Sequence, residues 1–264
     1  MILKYEGYII DLDGTTYRGN ELIEGAKEFI EYLQKEDIPY LFLTNNSTYT
    51  QEAVVTKLKK LGIITTVEHV MTSSVATANY IEKQNQNARC YAIGEEGLVE
   101  ALAKKQFTLT DKDCHFVVVG LDRDITYKKL AEATTLIREG ATFIATNTDA
   151  AIPTEKGLQP GNGALVSALT VSSGVKPVVI GKPEKIIMEE AIQQLGVSKE
   201  KVLMIGDNYN TDIQAGINAE IDTLMVLTGF STREDLQTVD EQPTYVLENL
   251  SEWMKQIRGI SSVK

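Results

Sequence analysis

Residues 8–17 read YIIDLDGTTY. Tyr8, Ile9 and Ile10 have the character of the end of a buried strand, and two aspartates one residue apart follow at once. In an extended chain residues i and i+2 point to the same side, so Asp11 and Asp13 project together from the end of an apolar strand. Like charges at that spacing repel unless something positive lies between them. Gly14 then lets the chain turn sharply. An apolar strand that ends this way suits an open α/β sheet, in which ligands bind beyond the carboxyl ends of the strands.

Outward from that stretch, strand-like and helix-like segments alternate along nearly the whole chain, the pattern of α/β layering around a mainly parallel sheet. Residues 24–36 carry a helical stripe of Ala26, Phe29, Ile30 and Leu33. YLFLT at 40–44 is short and apolar enough for a buried strand, and 50–62 reads as a helix stopped by Gly62. A strand at 69–73 and a helix near 74–83 follow, and the polar run EKQNQNAR at 82–89 marks a crossing between domains.

A second alternating set has strands expected at 90–94, 116–121 and 142–146 and helices near 95–105 and 126–139. It closes with a turn-rich segment at 147–163 and a helix running to Gly174. A third set restarts at KPVVIGKP, 176–183, and continues through KVLMIGD, 201–207, and TLMVLTG, 223–229. The simplest arrangement is a Rossmann-like parallel-sheet core from residues 1–80 and 177–264, with 81–176 inserted as an α/β cap. Trp253, with Leu250 and Ile257 at helical spacing, reads as the anchor of a last helix.

The net charge of −11 argues against nucleic acid or an anionic membrane as partner, since both need basic faces. It leaves a small phosphorylated metabolite open, because one local cation can dominate a site. No apolar run approaches the roughly 20 residues of a transmembrane helix. The N-terminal residues run straight into the first strand without a signal-peptide pattern, so a cytoplasmic location is expected. Cys90 and Cys114 are expected as buried free thiols. Together with His69 and His115 they lack the spacing of a zinc site. A homodimer is among the assemblies the sequence permits.

Four core strands end in unusual polar residues. These are Asp11-Leu12-Asp13-Gly14-Thr15, Thr44-Asn45-Asn46, Gly181-Lys182-Pro183 and Gly206-Asp207, with Asp212 five residues further on. At the carboxyl edge of a parallel sheet these clusters should converge. Asp11, Asp13 and Asp207 would then offer oxygen ligands to a hard cation, and Mg²⁺ suits a site shared with phosphate. Thr44, Asn45 and Lys182 would offer donors and an ammonium to phosphate oxygens. With the repulsion screened, one carboxylate can attack phosphorus and form an aspartyl-phosphate. A neighbouring carboxyl group can protonate the leaving alcohol and then activate water.

Each piece also has an ordinary reading. Paired aspartates at a strand end are often a turn with caps. A lone lysine before a proline is usually solvated, and Asp212 could be a first-turn acid of a helix.

In order along the chain, DLDGT at 11–15, Thr44, Lys182 and GDNYNTD at 206–212 resemble the four motifs of the haloacid dehalogenase superfamily. LTNNS at 43–47, the insertion between the second and third motifs, and ATNTDAAIPTEKGLQPGNGAL at 145–165 are similar to its NagD-like phosphatases. The resemblance implies a Mg²⁺-dependent phosphatase of sugar or sugar-acid phosphates and related metabolites. Asp11 would be the nucleophile and Asp13 the general acid/base, with Asp13 also reaching the metal through its backbone carbonyl. Asp207 would be a metal ligand beside Asp11, with Asp212 supporting it. Thr44, Asn45, Asn46 and Lys182 would bind the phosphoryl group.

Thr16 and Asn210 depart from the forms of this branch, and Asn210 lowers the negative charge near the metal. Asn147, Asp149 and Thr154 are candidates for substrate contacts from the cap, with local turn bonding the equal alternative. Tyr17 and Arg18 follow the catalytic loop as a gate or as structural residues. Gly161-Asn162-Gly163 reads as a tight turn into a helix, since it lacks the third glycine of a dinucleotide fingerprint. A phosphomutase and a phospho-accepting regulator share parts of this chemistry and remain the alternatives.

Overall fold

The apolar runs Gly7–Ile10, Tyr40–Thr44 and Val202–Gly206 are buried along their whole length. A strand achieves that only inside a sheet covered on both faces. In the computed structural model, which describes residues 5–154 and 157–259, they form the middle of a six-stranded sheet. Its order across the sheet is Tyr245–Leu247, Asp222–Val226, Val202–Gly206, Gly7–Ile10, Tyr40–Thr44 and Val70–Thr72. Ile10 lies level with Ile205 on one side and Phe42 on the other, in parallel pairing.

The Asp11 amide continues the ladder, donating to the Ile205 carbonyl at 2.9 Å. This register delivers Asp11, Thr44 and Asp207 to one edge of the sheet. From Gly7–Ile10 the strands build one way through Tyr40–Thr44 and the other way through Val202–Gly206. Asp11 and Asp207 therefore flank the point where the strand order reverses, the place where such sheets bind ligands.

The chain divides into two compact units. The first comprises Met1–Thr44, Val54–Met71 and Lys182–Lys264 and contains this sheet. Helix Ala26–Lys35 buries the expected stripe of Ala26, Phe29, Ile30 and Leu33 in its core. Helix Leu250–Ile257, capped by Asn249 accepting from the Glu252 amide, buries Leu250 and Trp253 in the same core. The Trp253 ring lies 5.2 Å from that of Tyr245 and 6.3 Å from that of Tyr5.

The second unit comprises Asn45–Ala53 and Thr72–Gly181. It holds a five-stranded parallel sheet in the order Val178–Val179, Thr142–Ala145, Phe116–Val119, Arg89–Ile93 and Thr108–Leu109. Helices Tyr127–Arg138 and Asn162–Ser173 bury Ala133, Leu136, Ile137, Val166 and Leu169 in a core that also takes Val117, Val119 and Phe143 from the sheet.

Two sequence expectations need correction. The turn-rich segment 147–163 contains an antiparallel ribbon, Ala151–Thr154 with Gly157–Pro160. Its prolines are tolerated because a two-stranded ribbon is all edge. The apolar run at 176–183 does not restart the core sheet. Val178–Val179 pairs with Thr142–Ala145, and the Ile180 and Gly181 amides extend that ladder to Ala145 and Thr146. An apolar run specifies a buried strand but not which sheet receives it. Helix Ser73–Gln84 falls with the second unit.

Cys90 and Cys114 are free thiols, the first buried and the second half-buried. Among the described residues no helix is long and apolar enough to cross a membrane.

Trp253 is 5% exposed and joins the last helix to the sheet edge. Truncation of a core aromatic leaves a cavity, so Trp253→Ala should lower unfolding free energy by about 3–5 kcal/mol. Denaturation followed by far-UV circular dichroism measures this.

Candidate active site

At the carboxyl edge of the six-stranded sheet Lys182 is 2% exposed. Its ammonium donates to Asp11 Oδ1 at 2.6 Å, to Asp212 Oδ1 at 2.6 Å and to the Leu43 carbonyl at 3.1 Å. Burial alone would lower the lysine pKa, but Asp11 and Asp212 outweigh it and hold the ammonium above its ordinary value. Asp11 is itself pushed well above the carboxylate range, chiefly by burial. Lys182 opposes that shift, while Asp212 and Asp207 add to it.

Asp207 accepts from the Thr15 hydroxyl at 2.9 Å and from the Phe230 amide at 2.7 Å. Burial first, and then Asp212, push its pKa up to about 6. The second Asp212 oxygen accepts from the Asn208 amide at 3.0 Å.

Backbone closes directly on these carboxylates. A Cβ added at Gly14, where φ is +95°, would stand 2.4 Å from an Asp207 oxygen, and one at Gly229 only 1.8 Å away. At Gly206 it would meet Asp212 Cβ at 2.1 Å. No side chain fits at these three positions. Thr16, the departure noted in the sequence, donates its hydroxyl to the Asp11 carbonyl at 2.7 Å. Asn210 is exposed, and its amide bonds Asn208 Oδ1.

Asp11, Asp207 and Asp212 each offer an oxygen within 4.8 Å of the others. Three buried carboxylates face one ammonium, and two of the three are held toward protonation by burial and mutual repulsion. An all-oxygen, net negative set of this kind fits a hard divalent cation such as Mg²⁺. Asp212, expected in a supporting role, stands within the set. The Asp13 carboxylate, expected with Asp11 and Asp207 among the oxygen ligands, lies outside this set, whose third member is Asp212; the carbonyl contact was what the resemblance added.

The Asp13 side chain is 61% exposed and takes a hydrogen bond from the Tyr17 hydroxyl at 3.3 Å. Lys57 Nζ lies 3.9 Å from its other oxygen. Desolvation by the surrounding chain raises the Asp13 pKa, while Lys57 and the Tyr17 hydroxyl pull it down.

Thr44 is buried at the end of its strand. In the second unit Asn45 Nδ2 donates to the Asp149 carboxylate at 3.2 Å. Asn147 Nδ2 donates to the Asn45 carbonyl at 2.9 Å, and Asn147 Oδ1 accepts from the Asp149 amide at 3.1 Å. Asn46 Oδ1 accepts from the amide and hydroxyl of Thr48 and from the Tyr49 amide. Local turn bonding thus involves Asn46, Asn147 and Asp149. Thr154 lies on the ribbon, its side chain outside the described residues.

Residues 8–108 match the family model described as haloacid dehalogenase-like hydrolase, and 179–253 match one described as HAD-hydrolase-like. The chain belongs to the haloacid dehalogenase-like hydrolases. The 5'-nucleotidase YutF of Bacillus subtilis is 53% identical over 253 residues, covering 96% of this chain and 99% of its own. An acid sugar phosphatase of Staphylococcus aureus is 49% identical over 255 residues, covering 96% and 98%.

Among solved structures, a double-mutant thermostable NPPase from Geobacillus stearothermophilus superposes with a TM-score of 0.90 at 51% identity, covering 96% of this chain and 99% of that one. A 4-nitrophenylphosphatase from Thermotoga maritima gives 0.92 at 34% identity, covering 96% and 98%. This hydrolase is a phosphoric monoester hydrolase of the NagD-like branch.

Sequence reasoning missed Lys57 and the holding role of Thr15. Lys57 lies in the basic KLKK run of helix Gln51–Lys60, which reads as a solvated face. The Thr15 contact spans 192 residues and has no local signature.

Asp207 titrates from 3.8 to about 6 on folding without a cation. Below 3.8 both states are protonated. Between the two values only the folded state keeps its proton, so above about 6 the group is fully destabilising. A bound cation removes that penalty by keeping the carboxylate ionised. The rise in Tm when Mg²⁺ is added to chelator-stripped hydrolase should be small near pH 5 and grow toward pH 7, as read by differential scanning fluorimetry.

Proposed function

We propose that this hydrolase dephosphorylates small phosphorylated metabolites, sugar or sugar-acid phosphates first, through an aspartyl-phosphate on Asp11. The observation that carries this reading is a strand-end Asp11, buried and gripped by Lys182, beside Asp207 and Asp212. Asp11 Oδ attacks phosphorus as the ester P–O bond breaks, and Asp13 gives its proton to the departing alcohol oxygen. Asp13 then takes a proton from water as that water attacks phosphorus. The Asp11–phosphorus bond breaks and inorganic phosphate leaves.

Lys182, Thr44, Asn45 and Asn46 hold the phosphoryl oxygens. Asp11 and Asp207, with Asp212 beside them and the Asp13 carbonyl, would hold Mg²⁺, which supplies positive charge against the phosphoryl oxygens. The first unit is the catalytic core and the second selects substrate, with Asn147, Asp149 and Thr154 as its candidate contacts.

Identity of 53% to a 5'-nucleotidase favours nucleoside monophosphates as the second substrate class. The relatives' names, phosphatase and nucleotidase, support hydrolysis over a phosphomutase or a phospho-accepting regulator.

Removing a covalent nucleophile eliminates the two-step route. Asp11→Asn should therefore lower kcat by at least about 10³-fold on p-nitrophenyl phosphate with Mg²⁺, while circular dichroism stays unchanged. Full activity in that variant would sink the assignment. Ranking kcat/KM over sugar phosphates, sugar-acid phosphates and nucleoside monophosphates identifies the substrate class.

A further inference from the structure

The Asp13 side chain is 61% exposed, yet proton delivery to a leaving oxygen needs a fixed carboxyl group. Two side chains around it supply what exposure takes away. Tyr17 is 3% exposed, with its ring in the core of the first unit. Its carbonyl accepts from the Gly14 amide at 2.8 Å, and its backbone pairs with Leu22 in the ribbon Tyr17–Arg18 with Glu21–Leu22. The hydroxyl is therefore a fixed peg, and it donates to Asp13 Oδ2 at 3.3 Å. Lys57 Nζ sits 3.7 Å from the centroid of the same ring and 3.9 Å from Asp13 Oδ1. One oxygen of Asp13 is tied by a hydrogen bond, and the other is faced by a cation that is itself seated on the tyrosine ring.

We infer that Tyr17 and Lys57 are positioning residues that hold the Asp13 carboxyl group in its proton-transfer orientation. This rests on the assignment of Asp13 as general acid/base. With Oδ2 bonded to Tyr17, Oδ1 is the oxygen that carries the proton to the departing alcohol and later receives one from water. Lys57, 3.9 Å from that oxygen, restricts rotation of the carboxyl group about its last bond. Neither residue touches substrate in this role, and both act through Asp13.

The test uses the dependence on leaving group. p-Nitrophenolate departs without protonation, whereas an alkoxide needs the acid, and kcat/KM covers the steps up to departure of the alcohol. Tyr17→Phe and Lys57→Met should each lower kcat/KM about 10-fold on glycerol phosphate and less than about 2-fold on p-nitrophenyl phosphate, a part of the roughly 10²–10⁴-fold worth of a general acid. The loss should fall on kcat rather than KM, and Lys57→Arg should recover most of it. Tyr17→Phe keeps the buried ring, and Lys57→Met alters a side chain 31% exposed, so a folding failure in one leaves the other to decide.

Equal losses on both substrates, a loss confined to KM, or no loss would overturn the inference. Asp13→Asn is the reference. If it discriminates the two leaving groups while Tyr17→Phe and Lys57→Met do not, positioning alone falls. If Asp13→Asn fails to discriminate, the acid/base assignment falls and takes the inference with it.

Discussion

A lysine ammonium buried between two carboxylates is the contact on which the carboxyl edge of the main sheet depends. Lys182 joins Asp11, 171 residues away in sequence, to Asp212, 30 residues away. Buried charge is tolerated only when paired and hydrogen-bonded, and removing one partner leaves the other stranded at high cost. The pairing is incomplete even so, because Asp207 brings a third buried carboxylate to the same few ångströms. The site therefore folds with a deficit of positive charge. Burial first, and then the neighbouring carboxylates, raise the Asp11 and Asp207 pKa values, and the deficit makes the set suited to a cation.

Much of this was legible in the sequence because the information is local. YIID, YLFLT and VLMIGD each announce a buried strand and its polar end, and a parallel sheet brings such ends to one edge. The helical stripe of Ala26, Phe29, Ile30 and Leu33 is likewise a local periodicity, and it is buried as expected. What failed was assignment across distance. VVIG was readable as a strand, but its partner, Thr142–Ala145, could not be chosen from composition. The ribbon of Ala151–Thr154 with Gly157–Pro160 escaped because Gly157–Pro160 is exposed throughout and both strands contain proline, so alternation carries no signal.

The site was legible in its charged members and not in its supports. Asp11 and Asp207 stand out because a buried parallel strand seldom ends in charge, and Lys182 and Asp212 follow apolar runs within a few residues. Thr15, Lys57 and Gly229 are ordinary residues in ordinary settings. Their roles come from tertiary neighbours: Thr15 and Gly229 lie against Asp207, and Lys57 lies beside Asp13 over the Tyr17 ring. Thr16 shows the same limit, since it reads as a departure from the family pattern but holds the Asp11 carbonyl.

The five-stranded sheet of the second unit ends on both sides in strands only two residues long, Val178–Val179 and Thr108–Leu109. An open sheet edge is a template on which a foreign strand can add, and its hazard grows with the length of unpaired backbone. Strands this short present too few amides and carbonyls in register to recruit another chain. The sheet thus keeps its long apolar strands, Arg89–Ile93 and Phe116–Val119, in the interior of the stack. Resistance to edge-to-edge aggregation is built into the order of its strands.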